Sequence, residues 1–459
     1  MTTTDLVIIG AGPAGMAAAV EARAAGLSVL VLDEAPAPGG QIYRGVEAAN
    51  AARRTILGKD YVHGADLVAA FRACGATYKS GATVWNVSPE KVVDYSVGTG
   101  SLQVEAGAVL VATGAVERAT PMKGWLLPGV TTAGAVQILL KASGVIEPDV
   151  VFVGSGPLLW LIASQMVAAG APPKAIVETV PKGRTLAAAK HLPKALAASA
   201  YLAKGLQMMR AVKQAGVPIH RGAEGVAIEG ESHVEAVTFT ADGARQRIPT
   251  RHVALHQGVV PNQQVTRLLV CEHRYDESQR AFAPVVDADG ATSVAGIYVA
   301  GDGAGIGGAK AAALAGRLAA MAIAARAGKA VSDAERTKVR TALDKDRAIR
   351  PLLEALYAPS AEALAPADDV VVCRCEEVTA GDVRAAARLG APGPNQVKSY
   401  LRAGMGPCQG RVCGLVVAEI IAATRGQSVA DVGYYRIRPP LKPLPLAELA
   451  ALDAPVAAE

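Results

Sequence analysis

Apolar and polar positions alternate along this chain in blocks that read as strand, glycine turn and helix. The first block is Asp5-Leu-Val-Ile-Ile, which runs into Gly10-Ala-Gly12-Pro13-Ala14-Gly15 and an alanine-rich stretch. An apolar strand entering a G-x-G-x-x-G turn that opens a helix is the context of a dinucleotide fingerprint. Gly10 permits the tight turn, Gly12 lets backbone approach a pyrophosphate, and Gly15 lets helix pack on strand. A second strand, Leu27 to Leu32, ends at Asp33-Glu34, where an acid can meet ribose hydroxyls; Asp33 lies eighteen residues past Gly15. The pattern recurs at Val150-Val-Phe-Val-Gly154-Ser155-Gly156-Pro-Leu-Leu159, followed by the strand Ala175-Ile-Val-Glu178. Leu159 stands where the third glycine would be, so this second site is read as degenerate, holding NAD, another nucleotide or nothing. The fold expected is α/β, with two Rossmann-like dinucleotide-binding domains.

No charged residue lies between Asp149 and Lys174, a length that would pass for a membrane span. Gly154, Gly156 and Pro157 break that run where a nucleotide fold needs breaking, so no transmembrane segment is expected. The N-terminal apolar run is the first strand and has no basic region ahead of it, which argues against a signal peptide. The chain has 459 residues, enough for two or three domains. Lys and Arg number 46 against 41 Asp and Glu, a net +5 without a dense basic run, and aromatics are only 4%. Nucleic-acid binding therefore has neither charge nor stacking surface to work with.

Three further segments bear on which dinucleotide binds. These are Gly39-Gly40-Gln41, then Val109-Leu-Val-Ala-Thr113-Gly114, then Gly296-Ile-Tyr-Val-Ala-Gly301-Asp302-Gly303. With the N-terminal fingerprint they resemble the two-dinucleotide-domain flavoproteins of the glutathione- and thioredoxin-reductase type over about residues 5–325. The resemblance implies FAD, with Asp302 on the ribityl chain and the helix opening at Gly308-Ala309 aimed at the isoalloxazine. It also places Val84 among the FAD contacts. The implied domains are 1–119 with 246–327 for FAD, 120–245 for the second nucleotide fold, and 328–369 as a linker. Disulfide reductases of this type need a cysteine pair inside a nucleotide domain, and neither domain has one.

The six cysteines include four in two tight pairs, Cys373-Arg-Cys375 and Cys408-Gln-Gly-Arg-Val-Cys413, separated by 32 residues. Four thiolates suit a structural zinc ion or an iron–sulfur cluster. Such spacings fit a reducing cytoplasm better than secreted disulfides. Cys74 and Cys271 read as unpaired core thiols. Within residues 370–459, Cys373-Arg-Cys375-Glu-Glu, Gly393-Pro-Asn-Gln-Val-Lys398 and Gly404-Met-Gly-Pro-Cys408-Gln-Gly-Arg-Val-Cys413 resemble a helical 2Fe–2S domain related to bacterioferritin-associated ferredoxin. They are most similar to its version fused to FAD-binding α subunits of heteromeric amine and imino-acid dehydrogenases. That group includes octopine and nopaline oxidases, hydrogen cyanide synthase and D-hydroxyproline dehydrogenase. Pro38-Gly-Gly-Gln41-Ile-Tyr-Arg44 and Leu255-His-Gln-Gly-Val-Val-Pro261-Asn262 match the same group.

What this resemblance implies is a division of labour. The β subunit, of the amino-acid-oxidase flavoprotein type, oxidises a C–N bond of an amino acid, imino acid or opine. The present chain, with FAD and a 2Fe–2S cluster on Cys373, Cys375, Cys408 and Cys413, carries the electrons onward; a small third subunit is also allowed for. Two other readings stay open: a self-contained NAD(P)H-dependent reductase feeding the cluster through FAD, and a non-enzymatic scaffold with zinc. His256 is read as a flavin-edge or structural residue. Arg44 is read as a contact to a phosphate or an acidic ligand, or as a surface ion pair, and Tyr43 and Trp125 as core or subunit contacts.

Overall fold

The computed structural model describes residues 2–453. The first apolar block becomes the strand Thr2–Ile9, whose last four residues are buried, and Gly12-Pro13 starts the helix Pro13–Ala24. Pro13 sits at the first helical turn, where its missing N–H is no loss. Thr2–Ile9 lies inside a seven-stranded sheet, between Val29–Asp33 and Gly100–Val111, and pairs parallel with both. Thr77–Ser80 extends one side; the antiparallel strands Val92–Val97 and Thr83–Val87 extend the other. Ile297–Val299 adds a parallel strand on Gly100–Val111 and delivers Gly301-Asp302. The helix Ala309–Arg326 crosses Pro13–Ala24 closely, because a Cβ on Gly316 would lie 2.1 Å from the Ala14 carbonyl oxygen.

A second, five-stranded sheet is parallel throughout, in the order Ile219–Arg221, Ala175–Glu178, Val150–Ser155, His252–Gln257, Val130–Thr132. His252–Gln257 lies past residue 245, the expected edge of this domain, yet it forms six backbone pairs with Val150–Ser155. One face packs on the helices Ala133–Ser143, Pro157–Ala168 and Ser199–Gln214 through Phe152, Leu159, Ile162 and Ala254. The other face packs on an antiparallel meander, residues 224–249, through Val153, Phe239 and Leu255. The run without charges is thus a buried strand and a buried helix, and among the described residues no helix is long and apolar enough to cross a membrane. The chain passes between the two sheets twice, and the crossings pair antiparallel as Ala115–Glu117 with Val259–Pro261.

Residues 328–369 carry the helices Asp333–Arg347 and Arg350–Leu356. Ser332 caps the first by accepting from the Glu335 amide at 3.3 Å. Ile349 and Leu352 pack with Ala188, Ala195 and Ala198 of the second nucleotide unit, so this segment is a packed strap rather than a free tether. The last unit holds Val371–Cys373, Val378–Thr379 and the helices Ala380–Arg388, Pro394–Leu401 and Gly414–Arg425. Thr379 and Asp382 form a capping box at the start of Ala380–Arg388. Its apolar face joins one continuous core with the first sheet, in which Val372, Val416 and Ile421 belong with Val7, Val93 and Phe282.

Polar groups fasten the same junction. Glu419 is the only acid in Gly414–Arg425, and only 5% of it is exposed. It accepts from the Tyr275 hydroxyl at 2.5 Å and from Arg280 Nη2 at 2.8 Å. Burial and this bond together raise the Tyr275 pKa, since ionising the phenol would set two anions side by side. Trp125 Nε1 donates to the Val371 carbonyl at 2.8 Å, and the Leu441 amide donates to the Trp85 carbonyl at 2.7 Å.

Candidate functional site

The glycine segments read from the sequence converge at the carboxyl end of the first sheet. Gly10 has φ +106°, and a Cβ there would lie 2.6 Å from the Ala112 carbonyl oxygen. A Cβ on Gly15 would lie 1.9 Å from the Gly10 carbonyl oxygen, so only glycine closes the turn. Gly40 stacks against Gly12, with 2.9 Å from its notional Cβ to the Gly12 Cα, and a Cβ on Gly301 would lie 3.0 Å from the Ala14 Cβ. Asp302 Oδ1 accepts from the amides of Gly307 at 2.8 Å and Gly308 at 2.9 Å, fixing the loop that opens Ala309–Arg326. The Asn262 amide donates to the Gly114 carbonyl at 3.0 Å, and Thr113 Oγ1 approaches the Asn262 carbonyl at 3.5 Å. The Ala82 amide donates to the Asp33 carbonyl at 2.9 Å, which brings Val84 to the same end of the sheet.

The two acids after the second strand have different surroundings. Asp33 Oδ2 accepts from the Ala11 amide inside the glycine turn, and Oδ1 accepts from the Ala35 amide at 2.7 Å. Burial nevertheless raises its pKa. Glu34 points outward and pairs with Lys442. Beside them lies a contact that sequence reasoning missed. Lys141, 2% exposed, donates to the Gln41 carbonyl at 3.0 Å and to Gln137 Oε1 at 2.8 Å. Gln137 continues to Gln165 at 2.9 Å, and Gln165 to the Leu57 carbonyl at 3.1 Å, a polar chain joining the two nucleotide units. Burial, and to a lesser degree the nearby Arg44, push Lys141 down to about 7. Its signal in the sequence was a single cation in the apolar stretch Ala133–Ser143. Arg44 is half-buried with Nε unpaired among the described residues, whereas Tyr43 is a core residue packed on Gly64.

At the second loop, Gly154 and Gly156 take φ +135° and +127°, with Ser155 buried between them. Leu159, 1% exposed, is part of the apolar core under the sheet. Glu178 is drawn toward Trp160 and Arg221, and burial raises its pKa. His256 lies on His252–Gln257 opposite Gly154, and its Nδ1 is 2.6 Å from Glu117 Oε1.

The four cysteine thiols interact as neighbours in the order Cys375, Cys408, Cys413, Cys373. The Cys413 thiol, together with backbone amides, lowers Cys373 to about 6 and Cys408 to about 5, while Cys413 itself is raised well above its ordinary value. Amides of Gly404, Glu376 and Cys375 point at Cys373, and those of Val412 and Gly410 point at Cys408. Gly406 packs on Cys375 so tightly that a Cβ would lie 2.1 Å from the Cys375 Cβ. Among the described residues, no three His, Cys, Asp or Glu side chains are grouped as a cage for one metal ion. Arg411 and Val412, between the second cysteine pair, line a small cavity with Glu117, Asn262 and Gln264 from the crossing strands and the loop after them.

Comparison with known proteins adds the family. Residues 4–328 match the pyridine nucleotide-disulphide oxidoreductase family, and residues 369–453 match the sarcosine oxidase A3 domain. The chain is 46% identical to an opine oxidase subunit from Agrobacterium tumefaciens, over 98% of this chain and 92% of that protein. It is 44% identical to the corresponding opine oxidase subunit from Rhizobium meliloti, over 99% and 100%. Hydrogen cyanide synthase subunit HcnB of Pseudomonas aeruginosa is 33% identical, over 96% and 97%. Among solved structures, L-proline dehydrogenase from P. horikoshii shares the fold with a TM-score of 0.72 at 19% identity, over 98% of this chain and 79% of that one. The body built around Gly10–Gly15, Thr113-Gly114 and Gly301-Asp302 therefore belongs to the pyridine nucleotide-disulphide oxidoreductase family, the whole chain to the family of these opine oxidase subunits, and the protein is an FAD-dependent oxidoreductase.

Proposed function

We propose that this chain is the FAD- and 2Fe–2S-containing electron-transfer subunit of a heteromeric dehydrogenase or oxidase acting on a C–N bond of an amino acid, imino acid or opine. The substrate site would lie on a partner β subunit. The observation that carries the reading is the junction of the two cofactor regions. The Cys408–Cys413 loop faces the crossing strands and Asn262, which bonds to Gly114, across one small cavity. The near-full-length similarity to proteins named as one subunit of opine oxidase supports the division of labour.

The residues fit the two groups. Gly10, Gly12 and Gly15 bring backbone and a helix N-terminus to a dinucleotide pyrophosphate, and Gly40 leaves the space beside Gly12 clear. Each oxygen of Asp33 accepts one amide and keeps a further lone pair, so Asp33 and the outward-facing Glu34 are both assigned to the ribose hydroxyls. Asp302 keeps Oδ2 for the ribityl chain while Oδ1 holds the loop. Cys373, Cys375, Cys408 and Cys413 supply four sulfurs with amides already directed at them, the arrangement that stabilises thiolates around a cluster. A two-iron cluster shares its four sulfurs between two metals, and so does not require the single-ion cage these residues lack. Bound together, FAD exchanges an electron pair and the cluster carries electrons singly.

Tagged chain isolated from its native host should bring with it a second flavoprotein and show flavin and 2Fe–2S absorption. Cys408→Ser should abolish the cluster bands and spare FAD. Isolation without a partner, together with rapid flavin bleaching by NADH, would refute the subunit reading; unchanged absorption in Cys408→Ser would refute the ligand set.

A further inference from the structure

Arg267 is a largely buried cation without an acid beside it. It lies in the short helix Gln264–Leu268 of the flavin-binding body. Its Nε donates to Gln263 Oε1 at 2.9 Å, and its Nη2 is buried without a hydrogen-bond partner among the described residues. Burial lowers its pKa to about 10, with no carboxylate among the described residues close enough to oppose that shift, and it stays charged at neutral pH. The neighbouring His273 is pushed down to about 4, by burial first and by Arg267 second, so it is neutral there.

The guanidinium lies over two aromatic rings, 4.8 Å from the Phe282 centroid and 5.1 Å from that of Tyr434. Tyr434 belongs to the cysteine-bearing unit and is buried. Its hydroxyl donates to the Gly410 carbonyl at 3.1 Å, inside the Cys408–Cys413 loop. A Cβ on Gly414, the residue after Cys413, would lie 2.5 Å from both the Tyr434 Cζ and its hydroxyl oxygen. One aromatic ring therefore touches both the cation and the loop that carries two of the thiols. Burial keeps the Tyr434 phenol protonated, so it adds no charge of its own.

A buried charge is costly unless a charge of opposite sign compensates it. We propose that the cysteine site is that compensation, and that Arg267, acting across Tyr434, raises the reduction potential of a cluster on Cys373, Cys375, Cys408 and Cys413. The inference rests on the 2Fe–2S reading above. Two ferric ions, two sulfides and four thiolates sum to a negative charge, and reduction adds one electron and no proton. The reduced form is thus one charge more negative, and a fixed cation shielded from water favours it over the oxidised form. Arg267 is a tuning residue that touches neither substrate nor iron.

A dithionite titration of the full, cofactor-loaded chain, followed by electron paramagnetic resonance at low temperature, reads the cluster midpoint directly. Arg267→Met removes the charge and keeps an apolar side chain over the rings. It should lower the midpoint by an amount worth about tenfold in the reduction equilibrium, about 59 mV for one electron. Arg267→Gln, which can still donate to Gln263, should do the same, and Arg267→Lys should restore most of the wild-type value. Midpoints in both neutral variants equal to wild type would overturn the proposal, as would Arg267→Lys falling as far as Arg267→Met. If neither neutral variant assembles a cluster, assembly in Arg267→Lys would support the need for the charge. Failure of Arg267→Lys as well would make the residue a packing element and overturn the tuning role. A wild type with no 2Fe–2S signal would instead refute the cluster reading on which the inference rests.

Discussion

Replacing Glu419 by alanine should loosen the cysteine-bearing unit from the flavin-binding body. The carboxylate is 5% exposed and bridges Tyr275 at 2.5 Å and Arg280 at 2.8 Å, both on the body. Removing it leaves the Tyr275 hydroxyl buried without a partner, which costs roughly 1–3 kcal/mol. The Arg280 side chain is 32% exposed. Water recovers part of its loss, and that share is discounted to about 1 kcal/mol. The total is about 2–4 kcal/mol, all of it across the junction. Urea unfolding followed by flavin fluorescence and by tryptic cleavage within residues 370–453 separates the two parts. Cleavage should move to lower urea well before flavin is released. Tyr275→Phe, which leaves Glu419 paired with Arg280, should cost about 1 kcal/mol. A double-mutant cycle should show coupling of at least about 0.5 kcal/mol. If Glu419→Ala shifts the cleavage midpoint by less than about 0.5 kcal/mol, the bridge does not hold the junction.

Three other perturbations have definite expected outcomes. Lys141, pushed down to about 7 by burial, binds a proton less readily folded than unfolded, so its penalty is greatest below pH 7 and fades as pH rises toward the ordinary lysine value. Wild type should therefore gain stability over Lys141→Met between pH 7 and 10, by up to about 1.4 kcal/mol per pH unit, and a pH-independent difference in urea midpoints would contradict this. Gly406→Ala puts a methyl group 2.1 Å from the Cys375 Cβ; visible absorption from the cysteine site should fall while flavin content holds, and full retention of both would show that the loop can yield. Glu34→Gln should weaken FAD binding by about 1 kcal/mol without lowering the melting temperature of the apoprotein, whereas Asp33→Asn should lower both, because its oxygens hold the Ala11 and Ala35 amides. Equal effects of the two substitutions in a flavin titration would undo that distinction.

The alternation of apolar strands and glycine turns determined the two nucleotide folds, because period, turn chemistry and helix start are local properties written within about 15 residues. Gly10, Gly15 and Gly154 carry backbone positions closed to other residues by φ or by close approach, so their spacing alone pointed to the loops. The four cysteines were legible for the same reason: their residue type restricts their chemistry before any fold is known. The capping box of Thr379 and Asp382 is likewise local, joining residues three apart in the chain.

The remainder depended on contacts between residues far apart in the chain, which spacing does not encode. Which of Asp33 and Glu34 faces outward depends on the Ala11 amide, 22 residues earlier. His256 reads by type as a flavin-edge or structural residue; only the pairing of its strand with Val150–Ser155 shows that its ring faces Gly156 and Glu117. Lys141 and Glu419 look like ordinary surface charges by type; tertiary packing removes them from water and gives each a partner across a domain boundary. The sequence by itself determined the elements, the loops and the candidate ligands, because these follow from the chemistry of neighbouring residues. Only the tertiary structure decided which acid faces outward, which histidine meets which loop, and how the cysteine unit sits on the flavin body. Those outcomes are set by burial, which brings together groups that the chain keeps far apart in sequence.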